Sequence, residues 1–226
     1  MSSYHSVRPG VRRRGSAARP KKNGKLQFEK NYRDYCDKIS EIDLPSISDR
    51  IGAIRRNGQV IIPFFDESYS VSKNGIYHSS GKQAEYGICV ILSKYILLCP
   101  DKPHFDGQWV SFKDFRRVSH FTNVTFFASD VEQIIEKSFS DNLSKLAAAC
   151  KDLGGTKEDT WSSYDLSFSF RALPRISLLL LFNDGDDEFP AKSTVLFQKH
   201  SEYYLDPESL AMLGAALARK LRKRSK

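Results

Sequence analysis

"YDLSFSFRALPRISLLLLFNDGDDEFPAKSTVLFQ", residues 164–198, holds three apolar runs divided by two turns, and the period of each run decides the fold. Leu166, Phe168 and Phe170 alternate with Ser167 and Ser169, which predicts a strand with one buried and one polar face. Residues 176–182 are apolar except for Ser177, the composition of a central strand covered on both sides. Residues 192–198, KSTVLFQ, supply a third strand. Between the second and third strands Asp184, Asp186, Asp187 and Glu188 crowd into five positions, and they either hold a metal ion or close a turn.

Downstream, Asp206-Pro207-Glu208 reads as a helix start, an N-cap followed by proline at the first helical position. Leu210, Leu213, Leu217 and Leu221 then form an apolar stripe, and Gly214 within it implies close packing against another element. Upstream, Phe28, Tyr32, Tyr35, Cys36, Ile39 and Ile42 recur at helical spacing over 26–43, with Pro45 as the expected stop. A short helical turn with a glycine-containing exit follows over 46–58. The β-branched and aromatic residues of 59–80, broken at Asp66-Glu67 and at Asn74-Gly75, predict two or three antiparallel strands, and Pro63 predicts that the first lies at an edge. Helical spacing returns over 83–98, stopped by Pro100 and Pro103, and a loop leads to a short strand around 109–112. A helical region is expected over 130–153, with Asp130 as N-cap, a break at 140–142 and Gly154-Gly155 closing it. Strands and helices are partly segregated and joined by hairpin signals. The expected fold is therefore α+β: a mostly antiparallel sheet covered by helices in a single compact domain, residues 26–221.

Hydrophobic residues at 40% and aromatics at 12% of 226 residues suit a globular chain with an aromatic-rich core that needs no disulfide or structural metal. Cys36, Cys89, Cys99 and Cys150 contain no CxxC pair, so neither a zinc ribbon nor an iron–sulfur loop is written here, and they read as buried thiols in a reducing cytoplasm. No apolar run is long enough to span a membrane. The N-terminus has the Arg-rich, acid-free composition of a transit peptide, but Pro9 and Gly10 interrupt its apolar spacing, and the expected location is the cytoplasm.

The net charge of +8 is uneven. Residues 1–25 carry eight Lys or Arg and residues 219–226 carry six, with no acid in either, which leaves 21 basic against 27 acidic residues between them. Residues 1–25 are expected to be a disordered basic arm, and 222–226 a flexible basic tail fraying from the last helix. Arg12, Arg13, Arg14, Lys21, Lys22, Arg222, Lys223 and Arg224 are the residues that would grip nucleic-acid phosphates.

GQWVSFKDF (107–115), LPRISLLLLF (173–182), NDGDDEFPAKSTVLF (183–197) and SEYYLDPESLAMLGAALARKL (201–221) together resemble the bacterial and archaeal family catalogued as domain of unknown function 3786, in order over roughly 26–221. The resemblance implies one compact cytoplasmic domain, common in anaerobic prokaryotes, and supplies no catalytic residues. Some relatives carry an added iron–sulfur segment, for which this chain lacks the cysteines.

An EF-hand loop needs glycine at its sixth position and glutamate at its twelfth. DGDDEFPAKSTV has glycine second and valine twelfth, so that reading fails, and a two-metal hydrolase would draw carboxylates from several elements. The best fit is an acidic turn, in which Asp and Gly suit the tight backbone and like charges discourage edge association. Trp109, with Phe112 and Phe115, reads as core or pocket wall, and His104, His120 and His200 lack ligand spacing. No GxSxG motif and no glycine-rich phosphate loop appear. The leading expectation is a binding module for a small molecule or protein partner, using Trp109, Asp184, Asp186, Asp187 and Glu188. The alternatives are an enzyme holding a divalent metal ion on the acidic turn and a nucleic-acid-associated protein acting through its basic ends.

Overall fold

A computed structural model of the chain describes residues 22–116 and 123–225. The described residues form an α+β fold, with nine strands in two sheets and every strand pair among them antiparallel.

The larger sheet has the order β5-β9-β8-β7-β6, from β5 (Trp109–Ser111), β6 (Thr156–Lys157), β7 (Leu166–Leu173), β8 (Ile176–Asn183) and β9 (Lys192–Gln198). β8 is the middle strand, as its apolar run predicts, and both of its faces are covered. Leu178, Leu180 and Phe182 face the main core with Phe168, Phe170, Val195 and Phe197. Leu179 and Leu181 face the other way, where Leu196, Trp109, Trp161 and Tyr164 close a small second core. The β6–β7 connection thus buries a face that would otherwise be a wet side of the sheet. Ser167, expected on a polar face, is buried there and donates to the Glu158 carbonyl.

The smaller sheet is a meander of β1 (Ile54–Arg56), β2 (Gln59–Phe64), β3 (Glu67–Ser72) and β4 (Gly75–His78). β1 was not expected; Asn57 (φ 50°) and Gly58 (φ 73°) make the two-residue turn that pairs it to β2. β2 is therefore flanked on both sides, and Pro63 does not mark an edge strand. β1 pairs only as far as Ile61, and the Ser68 carbonyl opposite Pro63 accepts from Ser79, so the missing N–H of Pro63 points past the end of β1. Phe65 takes φ 52° in the β2–β3 turn, costly for a bulky residue, while its N–H donates to the Ala172 carbonyl at 3.0 Å and joins the two sheets at the β7 bulge. Gly75 has φ 128°, and a Cβ there would sit 2.2 Å from Tyr32 Oη. That hydroxyl accepts from Ile76 N–H at 2.8 Å, so α1 (Lys22–Ser40) seats on the meander through a contact only glycine permits.

α2 (Leu44–Ile51) follows α1 after a short break, with Pro45 in its first turn. Proline lacks the N–H that a first turn leaves unused, so Pro45 starts the second helix instead of ending the first. α3 (Tyr86–Leu97) packs between α1 and α7 (Pro207–Arg224). Asp130 does not open a helix: α4 (Asn123–Phe127) already leads into a π turn over Ala128–Glu132, continued by α5 (Gln133–Phe139) and α6 (Leu143–Asp152). The π turn places Glu132, and α5 places Glu136, against the part of β9 that β5 leaves unpaired. Their carboxylates accept from Val195 N–H (3.1 Å) and Ser193 N–H (2.9 Å), replacing a neighbouring strand. α7 begins at the predicted cap, with Asp206 Oδ1 accepting from Ser209 N–H at 2.9 Å, and its four predicted leucines are all buried. It stays wound to Arg224 and does not fray after Leu221.

Candidate functional site

The acidic cluster closes a turn. Asp186 Oδ1 accepts from the N–H groups of Glu188 (2.9 Å) and Phe189 (2.7 Å), and Asp186 N–H donates to the Phe189 carbonyl at 2.9 Å. These bonds favour the charged form and hold the Asp186 carboxyl below its ordinary value. Asp184 Oδ1 accepts from Asp141 N–H (2.8 Å) and Gly185 N–H (3.0 Å), tying the turn to the break between α5 and α6. Asp187 and Glu188 line a cleft of about 490 Å³ whose walls are the turn itself and Ser140-Asp141. Among the described residues no three His, Cys, Asp or Glu side chains are grouped as a metal ion needs.

Trp109 is remote from this turn. It pairs with Gln198 at the far end of β9, whereas the turn enters β9 at Lys192, a separation of roughly 20 Å at ~3.3 Å per strand residue. The expected pocket shared by Trp109 and the acidic turn is thus corrected: β9 holds them apart, and Trp109 covers the outer face of the larger sheet. Arg12, Arg13, Arg14, Lys21 and His120 lie outside the described residues, and Lys22 is described only as the first residue of α1. Arg222 and Lys223 are exposed on α7, while Arg224 is ion-paired to Asp66. His200 is buried and structural, with Nε2 2.9 Å from the Arg175 carbonyl and Nδ1 accepting from Asp106 N–H at 3.0 Å. His104 stacks on Tyr203. All four thiols are free; Cys89 and Cys150 are buried, Cys36 and Cys99 partly so, and burial pushes each thiol up, Cys89 to about 12. None is poised as a nucleophile.

A cleft with a different character opens where the meander, α3 and α7 meet. Its volume of about 470 Å³ lies within the range of small-molecule sites. Phe64 from β2, Ala84, Ile88 from α3 and Ala216 from α7 give it an apolar floor. Glu67 and Tyr69 come from β3 and His78 from β4, whose ring meets Tyr69 edge-on at 5.3 Å. Lys82 and Glu85 come from the β4–α3 loop, and Arg219, Lys220 and Lys223 from one face of α7.

One wall is locked by an ion network. Lys220 Nζ lies 3.1 Å from both Asp66 Oδ1 and Glu67 Oε2 and stands over the rings of Phe64 and Phe65. Arg224 takes the other oxygen of Asp66, and Tyr69 donates to Glu67 at 2.7 Å. Burial alone would raise both carboxyls. The hydrogen bonds and charge of Lys220, with Arg224 on Asp66 and the Tyr69 hydroxyl on Glu67, outweigh it and hold both below their ordinary values. Tyr69 moves upward, through burial and the adjacent Glu67. A carboxylate so occupied, with a lowered affinity for protons, is a poor general base.

Apart from Lys223, which the basic run singles out, nothing local in the sequence marks these residues as a site. Lys82 and Arg219 meet only through the fold, and the basic run at the C-terminus reads as a tail until α7 is wound. The Asp66-Glu67 pair, which the sequence presents as a break between strands, is the partner of Lys220 and Arg224 from that run.

Comparison with curated proteins finds no match, and comparison with solved structures finds none. A family model does match, over residues 43–220: the domain of unknown function DUF3786. The matched span starts after α1, later than the resemblance suggested, and takes in both sheets and α7 as far as Lys220. Because it covers most of the chain, the protein belongs to the DUF3786 family.

Proposed function

We propose that this chain is a non-catalytic binding module that takes a small molecule in the cleft between the meander, α3 and α7. The observation that carries the reading is the cleft's construction: an apolar floor of core residues, polar groups converging from three elements, and a wall fixed by the Lys220 network. The other concavity is of similar volume, but its Asp186 carboxylate already serves two backbone N–H groups of the turn, which leaves less for a metal or ligand. Four unbridged thiols support a cytoplasmic setting. Among the described residues no helix is long and apolar enough to cross a membrane.

A thermal-shift screen of metabolites tests the reading, since a ligand at about a hundred times its dissociation constant adds about 2.7 kcal/mol of stability. Gly87→Leu serves as the plugged control. A Cβ at Gly87 meets Arg219 and Met212 at an ordinary 3.6 Å, so the variant should fold while filling the cleft. Hits are expected to raise the melting temperature of the wild type and not of Gly87→Leu. Equal stabilisation of both proteins, or turnover of a hit, would overturn the proposal.

A further inference from the structure

We infer that the cleft's ligand is a small organic anion: a carboxylate, phosphate or sulfonate on an apolar body, free in solution. This rests on the binding role proposed above and adds the ligand's class. Lys82, Arg219 and Lys223 reach the cleft from the β4–α3 loop and two successive turns of α7. Among the described residues, none of the three has a carboxylate within ion-pair distance. The fourth cation, Lys220, is already shared between Asp66 and Glu67. Glu67 is therefore neutralised from behind, and Glu85 is left as the one rim carboxylate against three cations.

The placement of Arg219 sharpens this imbalance. Its Nη2 lies 3.6 Å from where a Gly87 Cβ would be, over the first turn of α3, and that turn contains no acidic residue. Glu85 at the cap makes no side-chain bond to it. A guanidinium is thus held against the positive end of a helix dipole, an arrangement that repels until an anion sits between them. Arg presents a planar donor fork suited to a carboxylate or phosphate, and the two lysines add point charge. Below them the apolar floor cannot satisfy a bare inorganic ion, which is why the ligand is given an apolar body.

The test uses full-length protein and two fluorescent probes that share an aromatic body: 1-anilinonaphthalene-8-sulfonate, an anion, and N-phenyl-1-naphthylamine, which lacks the sulfonate. The expected result is saturable binding of the sulfonate, at least about tenfold tighter than the neutral probe and weakened as salt rises from ~50 to ~500 mM. Arg219→Glu with Lys223→Glu, both exposed and outside the Asp66 network, should raise the sulfonate's Kd by about tenfold or more while far-UV circular dichroism and the melting temperature stay near wild type. Gly87→Leu should abolish binding of the sulfonate.

If the two probes bind equally and charge reversal changes neither, while Gly87→Leu blocks both, the cleft binds but not by charge; the anion inference falls and the binding role survives. If Gly87→Leu blocks neither probe, both fall. Sedimentation with vesicles of anionic phosphatidylglycerol separates the remaining source of the same chemistry. Wild-type protein is expected in the supernatant, and pelleting that depends on Arg219 and Lys223 would reassign the cations to a membrane surface and overturn the inference.

Discussion

Gly214 lies where α7 crosses the ring of Phe127. A Cβ built there would fall 2.6 Å from Cε2 and 3.0 Å from Cζ, with Val131 Cγ2 a further neighbour at 3.4 Å. Alanine is the better helix former by about 0.5–1 kcal/mol, so in an open helix Gly214→Ala would stabilise. Here the ring cannot yield cheaply, because Phe127 is buried and stacked on Phe112 with centroids 4.5 Å apart. The expected outcome is a net loss of ~1–3 kcal/mol, read as a lower urea midpoint at unchanged slope. A gain in stability would show that α7 and the Phe127 ring are not in contact. At this scale the sequence speaks clearly where one residue's chemistry suffices, as at Asp206, whose side chain caps the helix it precedes. It is silent where two distant side chains must meet. Arg219 and Lys82 look like solvated charges until the fold brings them to one cleft.

Elements differ in how much of themselves they carry. β8 announces its place because a run of apolar residues with both faces buried can sit only in the middle of a covered sheet. β1 could not, since Ile54, Arg55 and Arg56 are all exposed and leave no burial pattern to detect; its one trace is the Asn57-Gly58 turn. The C-terminal basic run was misleading for a related reason. Lys220 and Arg224 sit one helical turn apart on α7, and only in the folded chain does that face meet Asp66 and Glu67 at the β2–β3 turn. The link has a pH signature. Both carboxyls are held below their ordinary values of 3.8 and 4.5, so the folded state binds protons less readily than the unfolded one. Their contribution is present above those ordinary values and is lost as pH falls through the folded ones. The wild-type melting temperature should therefore drop between about pH 5 and pH 3, and Lys220→Met, which keeps the stem but removes the charge, should start lower and lose less over that window. Parallel curves for the two proteins would mean that Lys220 does not hold these carboxylates.

At the scale of the whole molecule the question is whether two sheets make one cooperative unit. The Phe65–Ala172 backbone bond joins them, a single buried core runs through both, and α7 reaches from Asp206, paired with Lys94 of α3, to Lys220, paired with the meander. The chain has two tryptophans, Trp109 and Trp161, and both pack on the outer face of the larger sheet, so fluorescence reports that sheet alone. Far-UV circular dichroism reports every element. If the molecule is one unit, the two signals should give coincident urea transitions. Ile62→Ala, at a residue fully buried in the meander and in the main core that neither indole joins, should lower both midpoints together by an amount equivalent to ~2–5 kcal/mol. A fluorescence midpoint that ignores Ile62→Ala would mean that the meander opens independently. That outcome would reach the proposed cleft as well, because Phe64, Glu67, Tyr69 and His78 would leave it while the tryptophans still reported a folded protein.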